Sequence, residues 1–359
     1  MANRKNAEQI KQDILSKLKE GPSSIKKLSE EVESTWATIN TYLDELKNEG
    51  QVRELLSGSN LRIFVRTDYP VFYGLPLDIE KRNNCIFLLS KIIEFWKEKN
   101  DNEIPSKTTI QKIAVEIANR NPQFNLPIVR FHYGRVLPVI VEPTNISQIV
   151  NEYVLKKPSN YKEFEKEIKL EIGIDKGHTN IAWIERKKQY EKHKDMKIFQ
   201  IKETLSYKFY KQNLSEDILN LFYDLFMEIP TKDRYSRIFR KYQDFISSVN
   251  FIFSTKEFQE SNEDKKSRYI SEIFDSFNSI WQELTTEFFF EDIEPSLINE
   301  EEKTPELVKE SKISSCSSET DEKLNNLMEY KRSLHYLSKK LNGDEKQIME
   351  ILLEGANEE

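Results

Sequence analysis

Glycine and cysteine are scarce in this chain of 359 residues, which holds 9 Gly and 2 Cys. So little glycine argues against a nucleotide site cradled by a glycine-rich loop, and neither a Walker loop nor a dinucleotide fingerprint occurs. Cys85 and Cys316 cannot build a disulfide framework, and neither has a neighbouring partner of the kind a nucleophile or a zinc site requires. The four histidines, His132, His178, His193 and His335, lack metal-ligand spacing, so neither a metal nor a cofactor is expected. Asp175-Lys176-Gly177-His178-Thr179-Asn180 gathers acid, base and hydroxyl, yet nearness in sequence is not a site, and a turn with a surface histidine is the expectation there. Long apolar runs are missing as well: nothing approaches the roughly 20 residues of a membrane span, and the start MANRKNAEQIKQ has no signal-peptide core. The expectation is a soluble cytoplasmic protein, nucleoid-associated, without membrane contact and without catalysis.

What the chain has in quantity is charge and aromatic side chains. Charged residues make up 32% and hydrophobic ones 38%, with 21 Phe and 15 Tyr, a composition that suits helical domains with aromatic cores. The length predicts two or three domains. The formal net charge of -7 is unevenly spread. Residues 1–150 carry 21 Lys/Arg against 19 Asp/Glu, residues 151–290 carry 24 against 24, and residues 291–359 carry 9 against 18. The acidity belongs to the C-terminal tail, and the rest is close to neutral.

Ile10, Ile14 and Leu18 recur at helical spacing up to Gly21-Pro22. A second helix follows, with Ile25, Leu28 and Val32 and a cap at Ser23 or Ser24. A third carries the stripe Trp36, Ile39, Leu43 and Leu46, with Ser34 as its cap and Gly50 as its terminator. The period then changes to two. Val52 to Leu56 and Leu61 to Arg66 read as strands joined by Ser57-Gly58-Ser59-Asn60, with Leu61, Ile63 and Val65 on one face and Arg62, Phe64 and Arg66 on the other. This order, with a Thr-rich third helix followed by Asn48-Glu49-Gly50-Gln51-Val52 and a two-stranded wing, resembles the winged helix-turn-helix superfamily. The resemblance covers residues 1–68, about a fifth of the chain, and identifies no individual family.

The resemblance implies binding to double-stranded DNA, with the start of the third helix in the major groove. Thr35, Thr38, Asn40 and Thr41 lie off the apolar stripe and are the candidate base contacts, since Asn can bond adenine twice and Thr can meet a thymine methyl. Lys26, Lys27, Lys47, Arg53, Arg62 and Arg66 are the candidate phosphate contacts, with Arg62 placed best. For Thr35, Thr38, Asn40 and Thr41 the alternative is an ordinary solvated polar face. Glu30, Glu31, Glu33, Asp44, Glu45 and Glu49 oppose the cations, so modest affinity per module is expected.

Residues 69–83, with Pro70, Gly74 and Pro76, read as a connector. Within residues 84–150, Cys85 to Lys97 and the helix capped by Ser106 suggest a second helix-turn-helix-like unit, while Leu126 to Glu142 is open to helix or strand. Residues 151–290 read as a helical body. Tyr235, Ile238, Tyr242, Phe245 and Val249, and likewise Ile270, Ile273, Phe277, Ile280 and Leu284, keep a 3,4 spacing that suits a homodimer seam or an intramolecular bundle. Arg130 and Arg135, with Arg234, Arg237 and Lys241, could form a second DNA or partner surface, and a further basic run extends from Arg186 to Lys197. The charge and Ser/Glu bias of residues 291–322 predicts an acidic flexible linker, and residues 323–359 a C-terminal helical segment that docks on the body or a protein partner. Removal of residues 291–359 is accordingly expected to leave the fold intact.

The sequence thus predicts a mainly α protein: an N-terminal winged helix of three helices and a two-stranded wing, a second helix-turn-helix-like unit, and a helical C-terminal body. A transcriptional regulator is the leading functional expectation. The alternatives are a plasmid or viral replication-initiation or partition protein, and a winged-helix interaction scaffold that does not bind DNA.

Overall fold

The computed structural model describes residues 5–57, 61–154, 157–158, 161–173, 181–211, 217–298 and 304–340. The fold is mainly helical with small antiparallel sheets. Among the described residues no helix is long and apolar enough to cross a membrane. The chain divides into two compact units, residues 1–192 with 288–313, and residues 193–287 with 314–359.

The first unit opens with α1 (Ala7–Glu20), whose Asn6 and Gln9 form a reciprocal capping box. A two-residue strand, β1 (Ser23–Ser24), leads into α2 (Ile25–Glu31), where the Ser24 hydroxyl accepts from the Lys27 amide. Next comes α3 (Trp36–Asn48), capped by Thr35 rather than by Ser34. It ends at Gly50, whose φ of +73° permits bonds from the Gly50 amide to the Lys47 carbonyl and from the Gln51 amide to the Leu46 carbonyl. Two strands follow, β2 (Val52–Ser57) and β3 (Arg62–Arg66), and the sheet order is β1-β3-β2, with Ser23 opposite Phe64 and Val52 opposite Arg66. Residues 58–60 of the expected turn lie outside the described residues. Strand β3 is buried on both faces. Ile63, Phe64 and Val65 are all buried, because Phe64 joins the core of α1, α2 and α3 while Val65 joins the core that follows.

That second core begins in the expected connector. Tyr69, Val71, Leu75 and Leu77 are buried, so residues 69–83 are not a linker. They are clamped by chain returning from far downstream: the Asp78 amide donates to the Ser296 carbonyl and the Ile298 amide to the Pro76 carbonyl. Gly74 has φ +69°, and a Cβ there would stand 2.8 Å from Leu55 Cδ1. Leu55 sits where the β2–β3 register shifts, and it packs against the second core. The unit continues with α4 (Ile79–Lys99), α5 (Lys107–Arg120), β4 (Val129–Phe131), β5 (Gly134–Val136), α6 (Ile146–Tyr153), α7 (Tyr161–Gly173) and α8 (Ile181–Lys192). The segment left open between helix and strand is therefore a short hairpin, β4–β5. Phe164, Ile168 and Ile172 of α7 are buried in this same core, Phe164 stacked 3.8 Å from Phe124, so residues 151–192 belong to the first unit rather than to the expected body.

The second unit contains α9 (Lys197–Tyr210), α10 (Asp217–Met227), α11 (Ser236–Ser254), α12 (Lys256–Glu260), most of α13 (Glu263–Ile293) and most of α14 (Thr304–Lys340). Apart from half-buried Ile270, both 3,4-spaced seams are buried within the chain. Phe222 lies 5.0 Å from Phe245 and 5.4 Å from Phe277, and Ile273, Ile280 and Leu284 are fully covered. The seam is thus taken up by the intramolecular bundle, which corrects its expected use as a homodimer interface.

Helix α14 overturns the flexible linker. The serines and threonines that suggested disorder serve helix packing: Thr320 donates to the Ser279 carbonyl at 3.1 Å, Ser276 donates to the Lys323 carbonyl at 3.2 Å, and Thr320 and Ser317 are buried. Small side chains allow close approach; the Thr320 and Ser276 hydroxyls donate to carbonyls, and the Ser317 hydroxyl accepts from the Lys241 ammonium. Upstream, Val308 is buried in the core of the first unit. Residues 341–359 of the expected C-terminal helical segment lie outside the described residues.

Two outcomes follow from these contacts. Gly74→Ala combines a strained φ with the Leu55 contact and should destabilise the chain by about 1–3 kcal/mol in urea unfolding. Removal of residues 291–359 deletes buried Ile293 and Val308 from the first unit and Thr320, Leu324 and Leu327 from the second, so it should abolish cooperative unfolding.

Candidate nucleic-acid interface

The candidate surface is the outer face of α3 with the adjoining β2–β3 hairpin. Ile39, Leu43 and Leu46 are fully buried, which turns Thr35, Ala37 and Thr41 outward. Trp36 departs from the expected stripe. It is the first residue after the cap and is 55% exposed, since Ile39 already fills the core position one turn later. This large exposed aromatic beside three threonines is what helical spacing misassigned. Its signal was its place directly after a capping threonine.

The four expected base contacts are neighbours, but their polar groups already have local partners. The Thr35 hydroxyl accepts from the Thr38 amide at 3.2 Å and shares a hydrogen bond with the Thr38 hydroxyl at 2.8 Å. Thr41 donates to the Ala37 carbonyl at 3.0 Å, leaving its methyl and lone pairs outward. The Asn40 carbonyl accepts from Arg62 at 2.6 Å and its amide donates to Asp44 at 3.3 Å.

Arg62 is the hub of the hairpin's charge network. Its Nε donates to Glu54 at 2.7 Å and its Nη2 to Asp44 at 3.0 Å, and the guanidinium lies 4.9 Å over the Phe64 ring. Lys47 adds a second cation to Glu54 at 2.8 Å. The Arg62 hydrogen bond, reinforced by Lys47 and opposed by desolvation, brings the Glu54 carboxyl down to about 2. Glu54 in turn raises the Arg62 pKa above its ordinary value. Arg66 is held by Asp68 at 2.8 Å and by Glu152 at 3.5 Å. Of the six expected phosphate ligands, Arg62, Lys47 and Arg66 are therefore already neutralised by carboxylates. Lys26 and Arg53 are exposed and make no ion pair among the described residues, and Lys27 is half-buried on α2. The balance is even across the module, with 11 Lys/Arg and 11 Asp/Glu in residues 1–68.

Of the residues expected to form a second surface, Arg130, Arg237 and Lys241 are each taken up by carboxylates within their own unit. Arg130 grips Asp292 through Nε and Nη2, each at 2.8 Å, meets Glu291 at 2.8 Å, and stacks 4.3 Å over Phe288. It fastens the end of α13 to the first unit. Arg135, half-buried on β5, offers its carbonyl to Lys112 at 2.9 Å. Arg237 and Lys241 both bind the buried Glu283, at 2.9 and 3.1 Å, and Lys241 also donates to Ser317. They hold a carboxylate inside the second unit, where one would be costly without partners. Arg234 is half-buried on the turn before α11. In the basic run from Arg186, Lys192 pairs with Glu116 and Lys197 with Glu228. Burial pushes the Cys85 thiol above its usual range, which leaves it no thiolate character. His178 and the stretch around it lie outside the described residues.

The Glu54 carboxyl gives a pH signature. Its folded-state pKa is depressed, so its stabilisation is complete above the unfolded value of about 4.3 and is lost as pH falls through about 2. The gap in urea midpoint between the parent and Glu54→Gln should therefore be full at neutral pH and close as pH drops through that window. A gap that stays constant would show that Glu54 does not hold Arg62.

Comparison of the chain with protein-family models, curated proteins and solved structures finds no match.

Proposed function

We propose that residues 1–68 form a winged helix-turn-helix that binds double-stranded DNA with sequence preference, as the reading head of a transcriptional regulator. The observation that carries this reading is the outward face of α3. A short helix precedes it, a two-stranded hairpin adjoins it, and its N-terminal half presents Thr35, Trp36, Ala37, Thr38 and Thr41 with no charged side chain among them. Hydroxyls, methyls and an aromatic edge suit base edges and thymine methyls in the major groove. Lys26 and Arg53 supply phosphate contacts without first giving up a carboxylate. Arg62 would have to exchange Glu54 and Asp44 for a phosphate, which makes the hairpin a weak anchor until it is freed.

The even charge balance favours a second reading, in which the same face docks a protein and Trp36 is the anchor. Gel shifts of the full chain on random and selected duplexes over a salt series separate the two. On the DNA reading, affinity falls with salt, Lys26→Ala and Arg53→Ala each lower the salt slope by about one unit, and Thr38→Ala narrows the gap between selected and random duplex with the slope unchanged. Glu54→Gln, by freeing Arg62, should tighten binding to both duplexes. Absence of salt-dependent binding would put the docking reading first.

A further inference from the structure

We infer that the groove between α4 and α6 is a binding site for an amphipathic anion, a molecule with an apolar chain and one carboxylate head. The groove has a volume of about 630 Å³, within the range of about 300–1,000 Å³ typical of small-ligand sites. Phe87, Ile93, Ile146 and Val150 give it an apolar lining. Its rim is cationic. Glu94, the one carboxylate in the lining, is occupied by Lys91 at 2.7 Å, and Glu165 lies 3.8 Å from the same ammonium. Lys97 has no ion pair among the described residues, and the ammonium of exposed Lys157 lies over the Tyr161 ring at 5.2 Å. Elsewhere in the unit Arg120, Lys107, Arg130 and Lys192 each meet a carboxylate. An apolar cleft with two ammonium groups left over at its mouth is complementary to an acyl or aromatic carboxylate, and an amphipathic cation would leave both unsatisfied.

The wall of this groove is also the fastening of the N-terminal module. Ile146 and Val150 of α6 line the groove, and the same helix ends in Glu152 and Tyr153. Glu152 meets Lys19 at 3.1 Å and Arg66 at 3.5 Å, and the Tyr153 hydroxyl donates to Asp68 at 2.9 Å. A ligand that shifts α6 therefore acts on the end of β3, and the site is the effector site of the protein. Its regulatory role rests on the DNA-binding reading; its ligand does not.

Isothermal titration of the full chain with decanoate, and with decyltrimethylammonium as the opposite-charge control, tests the site without DNA. Decanoate should bind one to one, the cationic amphiphile should not, Lys97→Gln with Lys157→Gln should weaken decanoate at least about tenfold, and Val150→Trp should abolish binding. The lysine changes lie at the rim, so they decide the matter even where Val150→Trp fails to fold. Equal binding of both amphiphiles, no binding of decanoate, or no effect of the lysine changes would overturn the site. Amide exchange across residues 62–68 should change on saturation with decanoate. An unchanged pattern would overturn the regulatory role and leave the ligand site standing.

Discussion

The architecture of the first unit depends on one strand buried on both faces. In a small module of three helices and a sheet, only one face of the sheet has a core to cover it, and the other is ordinarily open to water. Here Phe64 enters the helical core and Val65 enters the next one, while Leu55 on the neighbouring strand packs toward Gly74. A polar contact runs beside this strand. Arg82 donates to the Lys19 and Glu20 carbonyls, and its guanidinium lies 5.6 Å over Tyr69 and 5.4 Å over Tyr153. The N-terminal module is therefore continuous with the rest of its unit, and its orientation is set by packing rather than by a tether.

The second constraint is electrostatic. Three of the six cations expected to meet phosphate, Arg62, Lys47 and Arg66, have a carboxylate within reach, and at Arg62 the network engages two acids and an amide. A bidentate arginine in a half-buried setting is held more firmly than a surface pair, because displacing it uncovers Glu54 as well. On the DNA-binding reading, recognition works by exchanging partners, and the salt dependence reports how many cations are released. The same pairing serves a different end in the second unit, where Arg237 and Lys241 make a fully buried Glu283 tolerable.

Local pattern and tertiary environment diverged at identifiable residues. The spacing of Ile10, Ile14, Leu18, Ile39, Leu43 and Leu46 fixed the helices, because one face of each had to be apolar. Trp36 obeyed that spacing and still lies outside, since a residue in the first turn can project past the edge of the core. Ser317 and Thr320 looked like linker residues, yet a helix packed closely on another needs small side chains at the contact, and their hydroxyls are satisfied there. Arg130, Arg237 and Lys241 looked like surface charge because their partners are about 40 to 160 positions away along the chain.

Composition and periodicity alone determined that this chain is mainly helical, that three helices and the strands β2 and β3 lie in its first 68 residues, and that its aromatic residues fill cores, whereas the two-residue strand β1 left no periodic signal. Those properties are local, set by which residue types recur at 3.6 or 2 positions and by which ones cap or end a helix. Tertiary structure decided which cations remain without a carboxylate, that a downstream segment closes the first core, that the heptad-like seams face their own chain, and that α4 and α6 leave a groove with lysines at its mouth. Each of these depends on pairs of residues distant in sequence, and hydrophobic period and charge count carry no record of which distant partner a side chain meets.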